Sequence, residues 1–369
     1  MANIAWKNLS RERGRFALSV FGVTFAVLLV LLLGGLYQGW QYRITEYIES
    51  AKADLWVGQE GAVDMSHSVS LLPENTETAL QSIVGVREVY PFVGRRIVFP
   101  FEGREEHLSV VGYDPSTGIG GPVRLVEGRK NLQGRELIID RVFAKETGLA
   151  VGDTLTLIGG ESWTVAGIAE GGNQVLYTFA FGQIDEVRRL LAMSGLVNYF
   201  IVQTEPGADR ASVASSIEQQ LPVQATGNGD FVEENKKIIT ETFLPIVAVL
   251  LIIAFAIGAA IVGLTIYTAT VEKASEYGVL KAVGFTGRNL YTIVLTQSLI
   301  ASLLGYVIGL GLALPVAKLA ESIEPSFITL FRVQDLLLVL AGTLLMAGVA
   351  SWAPAHRIAR IDPASVFRA

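Results

Sequence analysis

The chain has 369 residues, 51% hydrophobic and 17% charged, with a formal net charge of −6 and no cysteine. Such a composition is too apolar for a soluble chain of mixed domains, so the excess must be concentrated in particular segments. The lack of cysteine excludes a disulfide, a thiolate metal site and a cysteine nucleophile.

The chain begins with a short basic segment and then becomes strongly apolar. Residues 1–15 carry Lys7, Arg11, Arg13 and Arg15 against Glu12. Four stretches without any charged residue follow: 16–42, 242–271, 289–317 and 336–355. Each can cross a hydrocarbon core of about 30 Å as a helix. The first stretch is too long for a secretory leader and lacks a small-x-small cleavage site, so it is also predicted to span the membrane.

Residues 43–241, between the first two stretches, are predicted to form an α+β domain. Alternating or apolar runs predict strands at 53–57, 96–101, 107–113, 136–140, 154–158, 162–168 and 199–203. Apolar residues at helical spacing predict helices at 74–84, 141–148, 184–193 and 210–221. Residues 114–121, with one proline and three glycines, predict a loop or a subdomain joint. Arg188 and Arg189 on the third helix are expected to be exposed.

Charge sets the predicted orientation. The tail 356–369 carries Arg357, Arg360 and Arg368 against Asp362 alone, so both ends are predicted to be cytoplasmic. The connector 272–288 is then cytoplasmic, while 43–241 and the short loop 318–335 face outward. Residues 43–241 hold 17 Lys or Arg and 28 Asp or Glu, a net charge of about −11, which argues against a nucleic-acid partner.

Several kinds of chemistry are excluded by the sequence. A phosphate-binding loop needs a Gly-Lys step, and the chain contains none. The histidines His67, His107 and His356 are too far apart in sequence for a zinc-protease motif, and no Gly-x-Ser-x-Gly elbow occurs. The four apolar stretches contain no Asp, Glu, Lys or Arg, which argues against proton-coupled transport. Energy would therefore come from another subunit.

The connector after the second stretch carries the clearest pattern. Ala274, Tyr277 and Leu280 recur at helical spacing, and Gly284 ends the run. By periodicity alone this is an interfacial helix that terminates a span. The residues of interest in it are Glu272, Lys273, Glu276, Tyr277, Gly278, Lys281 and Gly284.

The order of Glu272, Glu276, Gly278, Lys281, Ala282 and Gly284 resembles the cytoplasmic signature of the FtsX-like, MacB-type ABC transporter permeases. The opening Ala5-Trp6-Lys7-Asn8-Leu9 and the tail from Pro354 through Asp362 and Pro363 to Arg368 are similar to the family's two ends. Gly112-Tyr113-Asp114-Pro115, Glu127-Gly128-Arg129, Ile139-Asp140 and Val151-Gly152-Asp153 resemble its periplasmic core domain. Ala53 to Gly58 is similar to the DevC and HrtB branches.

This resemblance implies a membrane α-helical fold with four transmembrane helices and an α+β extracytoplasmic domain of MacB periplasmic-core type. It implies a homodimer in the bacterial cytoplasmic (inner) membrane, served by two copies of a separate ABC ATPase that binds ATP and Mg²⁺, with no cofactor in this chain. The connector residues would couple to that ATPase. The chain would export a hydrophobic or amphipathic cargo by mechanotransmission, with a membrane-fusion adaptor as a further candidate partner.

Two more sets of residues are candidates for function. Tyr37, Gln38, Trp40 and Tyr42 lie at the predicted outer boundary, either as interfacial anchors or as substrate contacts. Ala259 with Gly263, and Gly305 with Gly309, form small-x-x-x-small steps that predict close helix packing, within the chain or in a dimer.

Two other functions are compatible with the pattern. In the first, the chain is a non-transporting relay that activates an extracytoplasmic hydrolase, as cell-division members of the family do. In the second, it is a membrane enzyme that acts on lipids. The second needs a polar catalytic cluster near the interface, and the sequence does not provide one.

Overall fold

The computed structural model describes residues 13–65, 68–171, 173–174, 177–324 and 326–359. Most of the predicted N-terminal helix 1–15 and the last ten residues of the tail lie outside them. The chain divides into two compact units: Met1–Gly39 with Phe243–Ala369, and Trp40–Thr242.

The helices are α1 (Arg13–Ser50), α2 (Thr76–Gln81), α3 (Arg141–Thr147), α4 (Ile184–Leu190), α5 (Arg210–Gln220), α6 (Asn228–Glu272), α7 (Ala274–Ala282), α8 (Gly287–Ile323) and α9 (Val333–Ala359). The longer strands are β1 (Leu55–Gly58), β3 (Val86–Phe101), β4 (Arg104–Tyr113), β5 (Arg124–Gly128), β6 (Glu136–Asp140), β7 (Thr154–Thr156), β8 (Ser162–Glu170), β10 (Tyr177–Gln183), β12 (Tyr199–Thr204) and β13 (Gln224–Gly227). The two-residue strands are β2 (Leu72–Pro73), β9 (Asn173–Gln174) and β11 (Leu196–Val197).

Four of these helices, α1, α6, α8 and α9, are long and apolar enough to cross a membrane. They extend beyond the apolar stretches because neighbouring polar residues also favour a helix. At the start of α6, for example, Lys236 and Lys237 form ion pairs with the glutamates three residues before them. The predicted fold class, four membrane helices with a mixed α and β domain, is confirmed.

Small residues let the long helices approach one another. A Cβ atom added at Gly305 of α8 would lie 2.6 Å from Cβ of Val23 in α1, and one at Gly22 would lie 2.6 Å from Cγ2 of Ile261 in α6. Hydrogen bonds join α8 to α9: the Ser298 hydroxyl donates to the carbonyl of Ala347 at 2.9 Å, and Tyr306 donates to Leu336 at 3.0 Å. Without water in the membrane interior, such groups must find partners within the protein.

The second unit is built on an eleven-stranded sheet whose main path runs β13, β1, β12, β3, β4, β10, β6, β8, β5. Strand β3 joins the two parts of this sheet. It pairs antiparallel with β12 over its first half and with β4 from Val93 to Phe101. One face of the sheet carries an apolar core that includes Val93, Ile97, Leu108 and Val110. Within the same unit, the ring of Trp56 stacks on that of Phe231 at a centroid distance of 4.8 Å.

Most predicted elements of this unit occur in the structure, with shifted ends. The predicted strand 154–158 is too long because Gly159 and Gly160 adopt positive φ angles of 73° and 75°, and a short 3-10 turn replaces its last residue. The predicted strand 96–101 is the second half of β3. Strands β5, β10 and β13 were not predicted.

The predicted exposure of Arg188 is wrong. Its side chain is buried, and Nη1 lies 2.6 Å from Oε1 of Glu74. Arg189, the next residue on α4, is exposed as predicted. The loop 114–121 is shaped by hydrogen bonds: Ser116 N donates to Oδ1 of Asp114 at 2.8 Å, and Tyr47 donates its hydroxyl hydrogen to the carbonyl of Gly120 at 2.9 Å.

Candidate functional site

The connector between α6 and α8 forms the short helix α7, with Lys273 at its N-cap. Tyr277 is 3% exposed and belongs to the same buried cluster as Leu290 and Ile293 of α8. Gly278 is also buried. These inward residues fasten α7 to the membrane helices, so a force applied to α7 would be passed to them.

The opposite side of α7 is exposed. It presents Glu276 together with Val279 and Val283, which are 46% and 75% exposed. Lys281 is half-buried beside them. Gly284 ends the helix with a φ of 103°, and its N–H donates to the carbonyl of Lys281 at 3.0 Å. Glu276, Val279 and Val283 are therefore the part of α7 that a partner protein could contact.

Glu272 occupies a different position from the other connector residues. It ends α6, and its carboxylate accepts two hydrogen bonds from the guanidinium of Arg15 in α1, at 2.6 and 2.5 Å. A bidentate arginine–carboxylate pair fixes direction as well as distance. This pair therefore ties the beginning of α1 to the end of α6, next to α7.

A cavity of about 340 Å³, here called the helix cavity, lies among α1, α6, α9 and the loop before α9. Its lining is mostly apolar: Ala26, Val27, Val30, Leu31, Gly34, Gly35, Leu244, Val247, Leu251, Phe255, Leu330, Phe331, Leu338, Val339, Gly342 and Met346. The polar lining residues are Tyr37, Gln38, Asp335 and Thr343. An apolar cavity with a few polar groups is the usual form of a small-molecule site.

Two of those polar residues have unsatisfied acceptors. Oε1 of Gln38 and Oδ2 of Asp335 are covered, and neither has a hydrogen-bond partner among the described residues. Of the four predicted boundary residues, Tyr37 and Gln38 line the helix cavity, whereas Trp40 and Tyr42 belong to the other unit and do not. Asp335 was not predicted because it lies just before the fourth uncharged stretch.

Two glycines of α1 that were not singled out from the sequence let the segment before α9 lie close against this helix. A Cβ atom added at Gly39 would overlap the carbonyl oxygen of Ile328, and one at Gly35 would lie 2.9 Å from the ring of Phe331. Leu330 N also donates to the carbonyl of Gly35 at 2.9 Å. Gly35 and Gly39 form a Gly-x-x-x-Gly step of their own, so the signal was present in the sequence.

The predicted packing residues lie at contacts between helices of the chain. Gly305 and Gly309 of α8 face α1; a Cβ atom at Gly309 would lie 2.8 Å from Cγ1 of Val27. Gly263 of α6 lies near Ala350 of α9, and Ala259 packs against the buried cluster of the same unit. In the described ranges, no group of three or more His, Cys, Asp or Glu could hold a metal ion.

Four membrane-length helices joined to a mixed α and β domain define a multi-pass membrane protein. Residues 16–220 match the MacB-like periplasmic core domain, and residues 248–363 match the FtsX-like permease C-terminal domain. The chain belongs to the FtsX-like, MacB-type family of ABC transporter permeases.

Full-length relatives are distant in sequence. A Staphylococcus epidermidis protein named as a hemin transport system permease, HrtB, is 21% identical over 98% of this chain and 97% of its own length. An uncharacterized ABC transporter permease of Methanocaldococcus jannaschii is 23% identical over 99% of this chain and 96% of its own length. An export ATP-binding/permease protein of the MacB type from Pseudomonas entomophila is 22% identical, over 98% of this chain and 57% of its own length.

Among solved structures, the periplasmic region of MacB from Actinobacillus actinomycetemcomitans is similar, with a TM-score of 0.38 and 12% identity over 51% of this chain and 94% of that one. The extracellular domain of the transporter YknZ from Gram-positive bacteria has a TM-score of 0.38 and 13% identity, over 48% of this chain and 100% of that one.

Proposed function

We propose that the chain is the permease subunit of an ATP-driven exporter for a hydrophobic or amphipathic cargo. It works as a homodimer with two copies of a separate ABC ATPase, which binds ATP and Mg²⁺. Both termini are cytoplasmic, in the cytoplasmic membrane of a bacterium. The work is mechanical: ATP-driven closure of the ATPase pushes on α7, and the membrane helices pass the movement on.

The observation that carries the proposal is the helix cavity. Its wall is built from apolar side chains of three membrane-length helices, which suits a hydrocarbon or aromatic body. The covered oxygens of Gln38 and Asp335 can accept hydrogen bonds from a donor group on the same ligand once their side chains turn toward it. A non-transporting relay has no need for such a cavity, so the cavity favours export.

Coupling to the ATPase rests on α7 and its neighbours. Tyr277 and Gly278 hold the helix inward, and Glu276 with Val279 and Val283 form the docking face. The ion pair between Arg15 and Glu272 links the ends of α1 and α6 next to α7. A push on α7 then reaches two of the helices that line the helix cavity.

Filling the helix cavity tests the proposal. Gly342 of α9 lines the cavity, and a Cβ atom there would have no heavy atom within 4 Å, so Gly342→Phe can place a ring in the space. Gly348 of the same helix has equal room and does not line the cavity, so Gly348→Phe is the matched control.

The measurement is ATP-dependent movement of a panel of fluorescent amphiphiles in proteoliposomes that contain the chain and its co-purified ATPase. We expect Gly342→Phe to reduce transport by about tenfold or more, the effect of losing about 1.4 kcal/mol of binding, with Gly348→Phe close to wild type. Equal transport by both variants would refute a cargo path through the cavity. If no member of the panel is transported, activation of an outer hydrolase by the same complex would support the relay.

A further inference from the structure

The unit Trp40–Thr242 contains a second cavity, of about 500 Å³, here called the outer-domain cavity. It lies beside the part of β3 that follows Phe92, where β3 no longer pairs with β12. Strand β12 begins at Tyr199, opposite Phe92, whereas β3 continues to Phe101 with β4 as its partner. The side of β3 beyond Phe92 is thus left to loop segments, and the cavity lies between them and the strand.

The cavity has an ordered rim. Asn198 bridges the gap left by β12: its Oδ1 accepts a hydrogen bond from Gly94 N at 2.8 Å, and its Nδ2 donates to the carbonyl of Ser70 at 3.0 Å. Tyr199 donates to the carbonyl of Asp64 at 2.6 Å. Burial raises the pKa of Tyr199, with the nearby Asp64 charge adding to the effect, so the hydroxyl stays protonated and engaged. These groups therefore shape the cavity and already have partners.

Ser109, one of the residues that line the cavity, carries a hydroxyl group. Ser109 of β4 is 8% exposed, lines the cavity and makes no hydrogen bond within the described parts of the chain. The strand register places it directly opposite Arg96 of β3 and beside Phe179 of β10. The hydroxyl is open to the cavity, so a ligand bound there can accept its hydrogen.

The rest of the lining is basic on one side and apolar on the other. Arg95 and Arg96 both line the cavity, and Arg95 has no ion pair among the described residues. Phe92, Phe179 and Met193 provide an apolar wall. A guanidinium is planar and forks around carboxylate, sulfate or phosphate oxygens, while aromatic and thioether groups accept hydrocarbon or aromatic surface. The volume falls within the range of about 300–1,000 Å³ usual for small-molecule sites.

We propose that the outer-domain cavity is a binding site for an amphipathic anion. The anionic head lies at Arg96 and accepts the hydrogen of Ser109, which shares its face of the sheet, and the apolar body lies against Phe92 and Phe179. Arg95, on the other face of β3, adds positive charge at the open edge of the strand. Residues 43–241 carry a net charge of about −11, so the domain as a whole repels anions and binding depends on these local arginines. The site is independent of the helix cavity and of the proposed transport.

Three water-soluble probes that share one ring system test this site: naphthalene-2-sulfonate, naphthalene-2-methanol and 2-naphthylmethylammonium. Titration calorimetry uses the full chain in phosphatidylcholine nanodiscs, with the heat of empty nanodiscs subtracted. We expect the sulfonate to bind about tenfold or more tightly than the alcohol, and the ammonium to bind most weakly.

Variants then locate the site. Arg95→Gln with Arg96→Gln should weaken the sulfonate about tenfold, and Ser109→Ala about threefold or more, while the affinity for the alcohol stays within about twofold. Arg87→Gln with Arg104→Gln removes the same charge at exposed positions outside the cavity and should leave sulfonate binding unchanged. Retained binding of the alcohol shows that each variant is folded.

Three results would overturn the proposal: no sulfonate binding above empty nanodiscs, equal binding of sulfonate and alcohol, or an equal loss in the Arg87 and Arg104 control. If the double arginine variant fails to fold, Ser109→Ala and the comparison of the three probes on the wild-type chain decide the question. None of these readouts uses ATP or transport, so a failure of the exporter proposal does not affect them.

Discussion

Ala192 is one of three residues other than glycine that have a positive φ angle in the described part of the chain. It follows α4 with a φ of 54°, and Met193 N donates to the carbonyl of Arg188 at 2.9 Å. This is the hydrogen bond of a Schellman motif, in which glycine is the usual residue at the left-handed position. Gly148 has the corresponding left-handed conformation after α3, with a φ of 74°.

Exchanging the residues at these two positions should have opposite effects on stability. Ala192→Gly should stabilise the protein by about 0.5–1 kcal/mol, because the left-handed conformation penalises an alanine Cβ by about 1–2 kcal/mol. Gly148→Ala should destabilise it by about 1 kcal/mol for the same reason. Both positions are exposed, so packing contributes little.

The measurement is the thermal unfolding midpoint of the full chain in detergent, followed by the fluorescence of buried Trp56 and Trp163. A change of 1 kcal/mol should shift the midpoint by about 2–4 °C for a unit of this size. Shifts of the same sign in the two variants would contradict the assigned backbone conformations.

Ala192 also shows why the end of α4 was predicted too late. Apolar residues at helical spacing continue to Met193, and no glycine or proline marks the stop. In the structure the helix ends at Leu190 because the chain turns back through the left-handed Ala192. The end of α3, by contrast, was predicted within one residue because Gly148 marks it.

Among the elements, only the second half of β3 was predicted, because Pro91 lies within its first half. Proline cannot donate to a strand ladder, so it normally argues against a strand interior. In β3, the carbonyl of Phe92 accepts a hydrogen bond from Asn198 N on the side of β12. The backbone nitrogen of Pro91 therefore points to the opposite edge of β3, where pairing with β4 starts only at Val93. The missing N–H therefore costs no ladder bond, a fact that only the pairing of strands distant in sequence reveals.

The next prediction is that the partner ATPase docks on helix α7. Exchanging the charges with Glu276→Lys and Lys281→Glu should prevent binding of the partner ATPase and abolish transport, with membrane insertion intact. Removing one partner of a buried charge pair in an interface costs roughly 2–5 kcal/mol, and the fixed inward contacts of Tyr277 leave α7 little freedom to compensate. Co-purification of the ATPase and proteoliposome transport are the two readouts.

The control must exchange charges of both signs at exposed positions away from α7. Buried Arg188 is unsuitable, whereas Arg104 and Glu105 in β4 are both exposed. Arg104→Glu with Glu105→Arg should bind the ATPase and transport like wild type. If the α7 variant behaves like this control, then α7 is not the docking element.

For the whole molecule, charge predicts the orientation in the membrane, and this prediction can be tested cleanly because the chain has no native cysteine. Ser275 of α7 and Ser116 of the outer domain are exposed and suit single-cysteine substitution. Ser116→Cys should react with a membrane-impermeant maleimide in intact cells, and Ser275→Cys and Ala369→Cys only after lysis. Labelling of Ser275→Cys in intact cells would contradict the four-span arrangement.

The sequence was more informative about the membrane part than about its cavity. Uncharged stretches of the required length predict membrane helices directly, because every backbone group must be satisfied within the segment. The helix cavity depends instead on which residues of α1, α6 and α9 meet. Tyr37 and Gln38 were found as boundary residues, but Asp335 and the paired glycines Gly35 and Gly39 acquire meaning only through contacts between distant parts of the chain.

The last prediction concerns the source of energy. The purified chain alone should hydrolyse no ATP, because the sequence lacks the Gly-Lys step of a phosphate loop. When it is co-expressed with its ATPase, the two should purify together, and turnover should disappear when the phosphate-loop lysine of the ATPase is replaced. The control is the α7 charge exchange, which should separate the two proteins and leave the permease fraction without activity. Sustained turnover by the isolated chain, abolished by a substitution in its own sequence, would show that the chain is itself an enzyme.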